Sequence, residues 1–418
     1  MTGPFDNLPA VSDNPHWVGY ACVVCGREYG SSWARFLCAD CGDGGILDPV
    51  YDYEAIAAAG SVTCDDLGGL WKFAPLLPVR PAADHSAWTV GATPVHFPDR
   101  LASHLGLKSL ILKDDTCLPS ASLKDRASAV AVARARQLGI GHIACASTGN
   151  AAASLSMLAA RAGIASTIFV PAAAPEAKLA QVVLHGADVT RVDGSYDQVF
   201  DLSLVQIAKN NWYSRNCAHN PLLVEGKKPA ALELAWALTD GFRLGDDALP
   251  DAVLVPVGDG CIVSSVAKAF RELEEVGLTG KVPRVIGVQA AGAAPLARAW
   301  AKADKPQADF TGPEILAAIA PVEAATFADS IAVGIPRNRV KAWRNVAATG
   351  GAFLAVEDAA ITDAIGYAAR LAGVFAEPSG AAGLAGVTAA LEAGLISPSG
   401  RVAVMVTGHG LKDPMAGL

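Results

Sequence analysis

A doubly wound α/β fold, built on parallel sheets, is what the 418-residue chain predicts. Three observations predict it: short continuous apolar runs recur, helical stretches alternate with them, and the connecting turns are rich in glycine and small polar residues. The first strand is 109–113, followed by a helix over 125–138. Strands 142–146, 166–170 and 188–192 then interleave with helices 150–162 and 175–185. Beyond a helix at 229–239 come strand 252–257, helix 262–276, strand 284–289 and a last strand at 402–407. Strands this uniformly apolar are buried on both faces, which requires helices on both sides of each sheet. No repeat or low-complexity tract breaks the pattern.

Hydrophobic residues make up 52% of the chain, and 41 glycines suit tight turns that bear ligands. Such a length forms two or three domains and buries a sizeable core. Charged residues are only 18%, and the formal net charge of -8 argues against a nucleic-acid partner, which calls for a clustered basic face. The longest uncharged run, between Arg136 and Arg161, carries His142, Asn150 and several serines and glycines, so no membrane span is expected. Met1 to Gly19 lacks the basic start and apolar stretch of a signal peptide, and a cytoplasmic location is expected.

Nine cysteines without a secretion signal favour metal ligation or buried thiols over a disulfide framework. Cys22 and Cys25 form one Cys-x2-Cys knuckle and Cys38 and Cys41 a second, each followed by glycine. Two such knuckles complete a tetrahedral four-thiolate site, so residues 1–50 are expected to form a ribbon around a closed, structural zinc ion. A connecting arm with one or two short helices should follow, up to about Pro98. Cys117, Cys145 and Cys261 are read as small buried apolar side chains.

Four segments carry the chemistry. Pro119-Ser-Ala-Ser-Leu-Lys-Asp-Arg126 places Lys124 between small polar residues and the charged start of a helix. Alone, this lysine reads more readily as an exposed partner of Asp125 or of a neighbouring helix charge; the company it keeps reverses that. Ser147-Thr148-Gly149-Asn150 follows a strand and opens a helix, offering hydroxyl and N–H groups to a carboxylate and the Asn150 amide to a phenolic oxygen; a plain helix cap uses the same residues. Gly258-Asp259-Gly260-Cys261 lies between a strand and a helix, where glycines bring backbone N–H groups up to a phosphate at the helix N-terminus. Asp259 is awkward there, and its carboxylate is expected to point away and bond to backbone. Thr407 ends the last strand, its hydroxyl suited to a ring nitrogen, with His409 a minor acid–base candidate in the glycine-flanked turn after it. Together they point to one pocket for pyridoxal 5'-phosphate, with Lys124 as its covalent anchor.

At this point the chain resembles the fold-type II pyridoxal phosphate enzymes, the tryptophan synthase beta-like class, and among them most closely the threonine synthases. The match runs in family order through the ribbon and Tyr51-Asp-Tyr, Gly91-Ala-Thr-Pro94, Ser122-Leu-Lys-Asp-Arg126, Ser147-Thr-Gly-Asn-Ala151, Lys178-Leu-Ala-Gln181, Glu225-Gly226 with Lys228, and Thr407-Gly-His-Gly-Leu-Lys-Asp-Pro414. The resemblance implies two doubly wound α/β domains behind the ribbon. The large one comprises 51–125 and 216–418, and a small mobile one, 126–215, is inserted between. It further implies that Lys124 holds the cofactor, Asn150 meets the ring oxygen, Gly258 to Cys261 cradle the phosphate and Thr407 faces the ring nitrogen. Ser147, Thr148, Gly149 and Lys178 fall to the substrate, and a homodimer is expected.

The implied activity is a lyase reaction in amino-acid metabolism, converting O-phosphohomoserine to threonine and phosphate by gamma elimination and beta addition of water. Two departures leave a second reading open. Leu223 stands where threonine synthases carry an arginine for the substrate phosphate, leaving Lys178 and Lys227 as point charges. Ala328-Asp-Ser-Ile-Ala-Val-Gly334 and Glu377-Pro-Ser-Gly-Ala381 resemble the threonine and serine dehydratase branch. The alternative is therefore beta elimination from, or beta replacement on, an unphosphorylated amino acid. A zinc-ribbon interaction protein with an inactive body is disfavoured by the intact Lys124, glycine loop and Thr407.

Overall fold

Two sheets carry the body of the chain in a computed structural model that describes residues 11–32, 36–81 and 90–414. The larger runs in the order Ala352–Val356, Arg284–Ala290, Ala252–Pro256, Arg401–Val406, Ser109–Asp114, Val95–His96. All its neighbours are parallel except the two-residue edge strand Val95–His96. The smaller runs Asp188–Val192, Ala165–Pro171, His142–Ala146, Tyr213–Ser214, wholly in parallel.

Burial on both faces is visible within one strand: Val253 and Val255 belong to one apolar cluster, Ala252 and Leu254 to another on the opposite face. The seven predicted strands of the body are present, with ends differing by a residue at most. Val95–His96 and Tyr213–Ser214 are too short to leave a pattern in sequence. Ala352–Val356, at the sheet edge, was also missed, because its alternation of buried and partly exposed residues is irregular and two of its five residues are alanine. The helix Pro378–Glu392 escaped for a related reason: it is buried almost all round and carries three glycines, which erases helical periodicity.

Lys124–Gln137, the helix that begins with the candidate lysine, is held by a buried charge network two residues on. The Arg126 guanidinium donates to both oxygens of Asp115, at 2.8 Å each, and to both of Glu233, at 2.7 and 2.8 Å. Lys113 donates to the same Glu233 at 2.8 Å. A planar fork against two carboxylates fixes the helix start in position and angle.

At the N-terminal end, Trp17–Cys22, Glu28–Gly30 and Leu47–Tyr51 form an antiparallel three-stranded ribbon. It is bolted to the body by Lys268, which donates to the Asp48 carboxylate at 3.0 Å and the Pro49 carbonyl at 2.6 Å, and by Lys341 on Asp48 and the Leu47 carbonyl, at 2.9 and 3.1 Å. The arm that follows contains the helix Tyr53–Ala58, capped by Asp52, and a buried turn at Gly69–Leu76. Part of the expected arm, 82–89, and of the segment read for targeting, 1–10, lies outside the described residues. No described helix is long and apolar enough to cross a membrane.

Candidate active site

Parallel strands aim their C-terminal ends at one another's loops, and here those loops converge on a cavity of about 660 Å³. Ala146 leads into Ser147 to Asn150, Pro256 into Gly258 to Cys261, Val406 into Thr407, and Ser214 into Arg215. All of these loops line the cavity, and so does Lys124.

Lys124 and Thr407 are neighbours by construction. The Leu123 N–H donates to the Thr407 carbonyl at 2.9 Å, and Ser122 bridges to Gly408. Burial lowers the Lys124 ammonium below its ordinary value, and the Lys227 charge lowers it further. Both effects favour the free amine that a nucleophile or base needs. Asp125 is turned away, accepting from the Ser120 N–H at 2.7 Å and from the Ser120 hydroxyl.

Asn150 opens the helix Asn150–Ala162, and its side-chain N–H donates to the Glu377 carboxylate at 2.7 Å. Glu377 is buried, and that burial pushes its carboxyl up. The glycine at 408 makes room for it, since a Cβ there would lie 2.3 Å from Glu377 Oε1. Sequence reading assigned no role to Glu377, although it heads the Glu377-Pro-Ser-Gly run that carries the dehydratase resemblance.

The loop from Gly258 to Cys261 is shaped as an anion cradle. Gly260 has φ of +87° and packs so closely that a Cβ would meet Ala342 Cβ at 2.7 Å. Cys261 then starts the 15-residue helix Cys261–Glu275, whose first-turn N–H groups face the cavity end. The Asp259 carboxylate accepts from the Arg337 backbone N–H at 3.3 Å, and burial pushes its carboxyl up, which reduces its conflict with a phosphate. Arg337 lines the same cavity and pairs with Asp197 at 2.7 Å, joining the loop beside the larger sheet to the helix Tyr196–Lys209 of the smaller one.

Other candidates fall elsewhere. Lys178 belongs to the helix Glu176–Leu184, but its side chain lies outside the described residues. Leu223 is fully buried in the core, and positive charge in the cavity comes from Arg215, Lys227 and Arg337. The His409 ring accepts from the Leu411 N–H at 3.1 Å and stabilises the turn after Thr407. Cys117 corrects the reading of buried thiols: it is exposed, its sulfur 3.6 Å from Asp114 Oδ2. Cys145 is buried as expected, and Cys261 is buried in a small cluster against which Cys217 packs.

In the ribbon, the sulfurs of Cys22, Cys25, Cys38 and Cys41 all lie within 4.8 Å of one another. Gly45 is required by this cluster, because a Cβ there would sit 2.5 Å from Cys41 Cβ and 2.9 Å from Cys38 Cβ. Burial raises the Cys38 thiol, but donation from Tyr29 at 3.1 Å and from the Asp40 and Cys41 backbone outweighs it and brings the thiol down to about 6. The donor set and its compactness fit a four-thiolate zinc ion.

A lysine of lowered pKa, a glycine-lined helix N-terminus and a strand-end threonine around one cavity define a pyridoxal phosphate enzyme of fold type II. The family model described as "Pyridoxal-phosphate dependent enzyme" matches residues 88–408. The chain is 35% identical over 402 residues to the threonine synthase of Methanocaldococcus jannaschii, covering 95% of this chain and 93% of that protein, and 34% identical to that of Methanosarcina acetivorans over 395 residues, covering 94% and 92%. It belongs to the threonine synthase family of these enzymes. Solved structures share the fold: maize serine racemase has TM-score 0.62 at 22% identity, covering 77% of this chain and 90% of that one. Diaminopropionate ammonia lyase from Escherichia coli has TM-score 0.63 at 18% identity, covering 77% and 85%.

Proposed function

We propose that the chain converts O-phospho-L-homoserine to threonine and phosphate. The observation that carries this reading is the convergence of Lys124, Asn150, the Gly258 to Cys261 cradle and Thr407 on one cavity, in a chain similar to threonine synthases along nearly its whole length. Pyridoxal phosphate, when bound, acts as the electron sink that makes protons next to the amino-bearing carbon removable.

The remaining work falls to the protein's own groups. The cradle N–H groups hold the cofactor phosphate, and the Thr407 hydroxyl meets the ring nitrogen as a neutral partner. Glu377 keeps the Asn150 amide aimed at the ring oxygen. Lys124 Nζ takes the proton from the alpha carbon and returns it along the side chain, which its lowered pKa favours. Ser147, Thr148 and Gly149 bind the substrate carboxylate. Arg215, Arg337 and Lys178 take the place of the missing arginine at the substrate phosphate. Residues 126–215 form a smaller domain whose closure, across the Arg337–Asp197 contact, excludes water until it is needed. Zinc in the four-cysteine site is structural, and the enzyme is a homodimer.

Supplying purified protein with O-phospho-L-homoserine is expected to release phosphate and threonine in equal amounts. Ammonia and a keto acid from serine or threonine, with no phosphate release, would move the reaction to beta elimination. For the ribbon, Cys22→Ser is expected to lose its zinc and to lower thermal stability. A variant with full metal content by elemental analysis would refute the site.

A further inference from the structure

The cavity holds a second reactive group that the proposed reaction does not use. Cys217, half-buried in its wall, follows the strand Tyr213–Ser214, and Cys261 opens the cradle helix. The two side chains pack in one small cluster with Ala218 and Val224. Lys227, itself 1% exposed, lies with Nζ 2.6 Å from Cys217 Sγ. An ammonium has only donors to offer, and among the described residues that of Lys227 meets no carboxylate at ion-pairing distance. Its buried charge is balanced if Cys217 is a thiolate.

The surrounding charges agree. The Cys261 hydrogen bond, and then Lys227 and Arg215, hold the Cys217 thiol well below its ordinary value against its burial. The same hydrogen bond, together with burial, pushes Cys261 up, with Asp259 also acting upward. One thiol is thus ionised first and the other keeps its proton and donates it, which is the relation of an attacking to a resolving cysteine.

We propose that Cys217 and Cys261 are a reactive dithiol that a hydroperoxide closes into a disulfide across the cofactor cradle. The Cys217 thiolate attacks one peroxide oxygen, the O–O bond breaks, and the other oxygen leaves as hydroxide or alkoxide and is protonated. Cys217 is then a sulfenic acid. The Cys261 sulfur attacks it, the S–O bond breaks, and the leaving hydroxide takes the Cys261 proton and departs as water. Two thiols are oxidised and one peroxide is reduced. Reaching the ~2.05 Å of a disulfide from this packed arrangement draws the two side chains, and the backbone that carries Cys261, together. Because Cys261 directly follows Gly260, the new bond pulls the first turn of the helix toward Cys217 and narrows the space for a phosphate. Bound cofactor, conversely, shields both sulfurs.

The test treats the protein, with and without pyridoxal phosphate, with hydrogen peroxide and maps peptides without reduction. A linked Cys217–Cys261 peptide is expected in the cofactor-free protein, together with at least a ~10-fold weaker cofactor affinity, and dithiothreitol should reverse both. The cofactor-loaded protein should cross-link far more slowly. In Cys261→Ser, oxidation should stop at a Cys217 sulfenic acid that dimedone captures. Lys227→Met should slow alkylation of Cys217 by iodoacetamide at neutral pH, by about tenfold for each unit by which the thiol's pKa comes to exceed the solution pH. Oxidation confined to exposed thiols such as Cys117, or alkylation of Cys217 no faster than of Cys117 in the unmodified chain, would overturn the proposal.

Discussion

Lys124→Ala is expected to lose turnover by more than about a thousandfold and, with it, the visible absorbance of cofactor bound covalently to the protein. The loss is this large because one amine performs two tasks, anchoring the cofactor and moving protons, and no neighbour takes over either. Lys227, another lysine of the cavity, is occupied by Cys217, and Arg215 donates to Ser128 at 3.0 Å and to the Lys124 carbonyl at 3.2 Å. Stability should change little, since the Lys124 side chain is half-buried and the helix start is held through Arg126. Added small amines should restore part of the activity. A variant that kept both absorbance and turnover would show that another lysine carries the chemistry.

Glu233→Ala is expected to cost about 3–5 kcal/mol of stability, the range found when one partner of a buried ion pair is removed. Two cations, Arg126 and Lys113, would be left facing an empty site, and the Ala92 N–H, at 2.9 Å from Glu233 Oε1, would lose its acceptor. Glu233→Gln should fall between, because it keeps an acceptor but not the charge. Burial raises the Glu233 carboxyl, yet Arg126 and Lys113 more than offset this and hold it down to about 2. A carboxyl depressed by folding stabilises the protein above its unfolded pKa of ~4.3, and the contribution is lost as pH falls from there toward 2. Acid unfolding followed by circular dichroism should therefore begin at higher pH in Glu233→Ala than in the parent. Coincident profiles would remove Glu233 from the acid transition.

The residues that could be read from sequence are those whose role depends on immediate neighbours. Lys124 is marked by the serines before it and the charges after it, Gly260 by a turn that needs positive φ, and Thr407 by its place at the end of an apolar run. The four metal-site cysteines announce themselves by spacing. Glu377 could not be read in this way, because its partner Asn150 is 227 residues away and only the packed sheets bring them together. Cys217 stayed silent for the same reason, since neither Lys227 nor Cys261 gives a single thiol any local mark. In the two sheets of the body, the strands missed were edge elements, two of them only two residues long, which owe their pairing to the neighbour they extend rather than to their own composition.

The lysine clamp between ribbon and body has a consequence for anyone cutting or grafting this protein. Lys268 and Lys341, both nearly inaccessible, are rooted in the body, and both bond to Asp48 and to a carbonyl of the strand Leu47–Tyr51, Lys268 also pairing with Glu225 of the body. Lys268 also sits on the helix whose first residue shapes the phosphate cradle. A body truncated after the ribbon would leave Lys341 without its carboxylate and Lys268, about two helical turns from the cofactor site, with only Glu225 and the more distant Glu272. The ribbon is thus no detachable module: a functional chimera must transplant Asp48 and both lysines as a set.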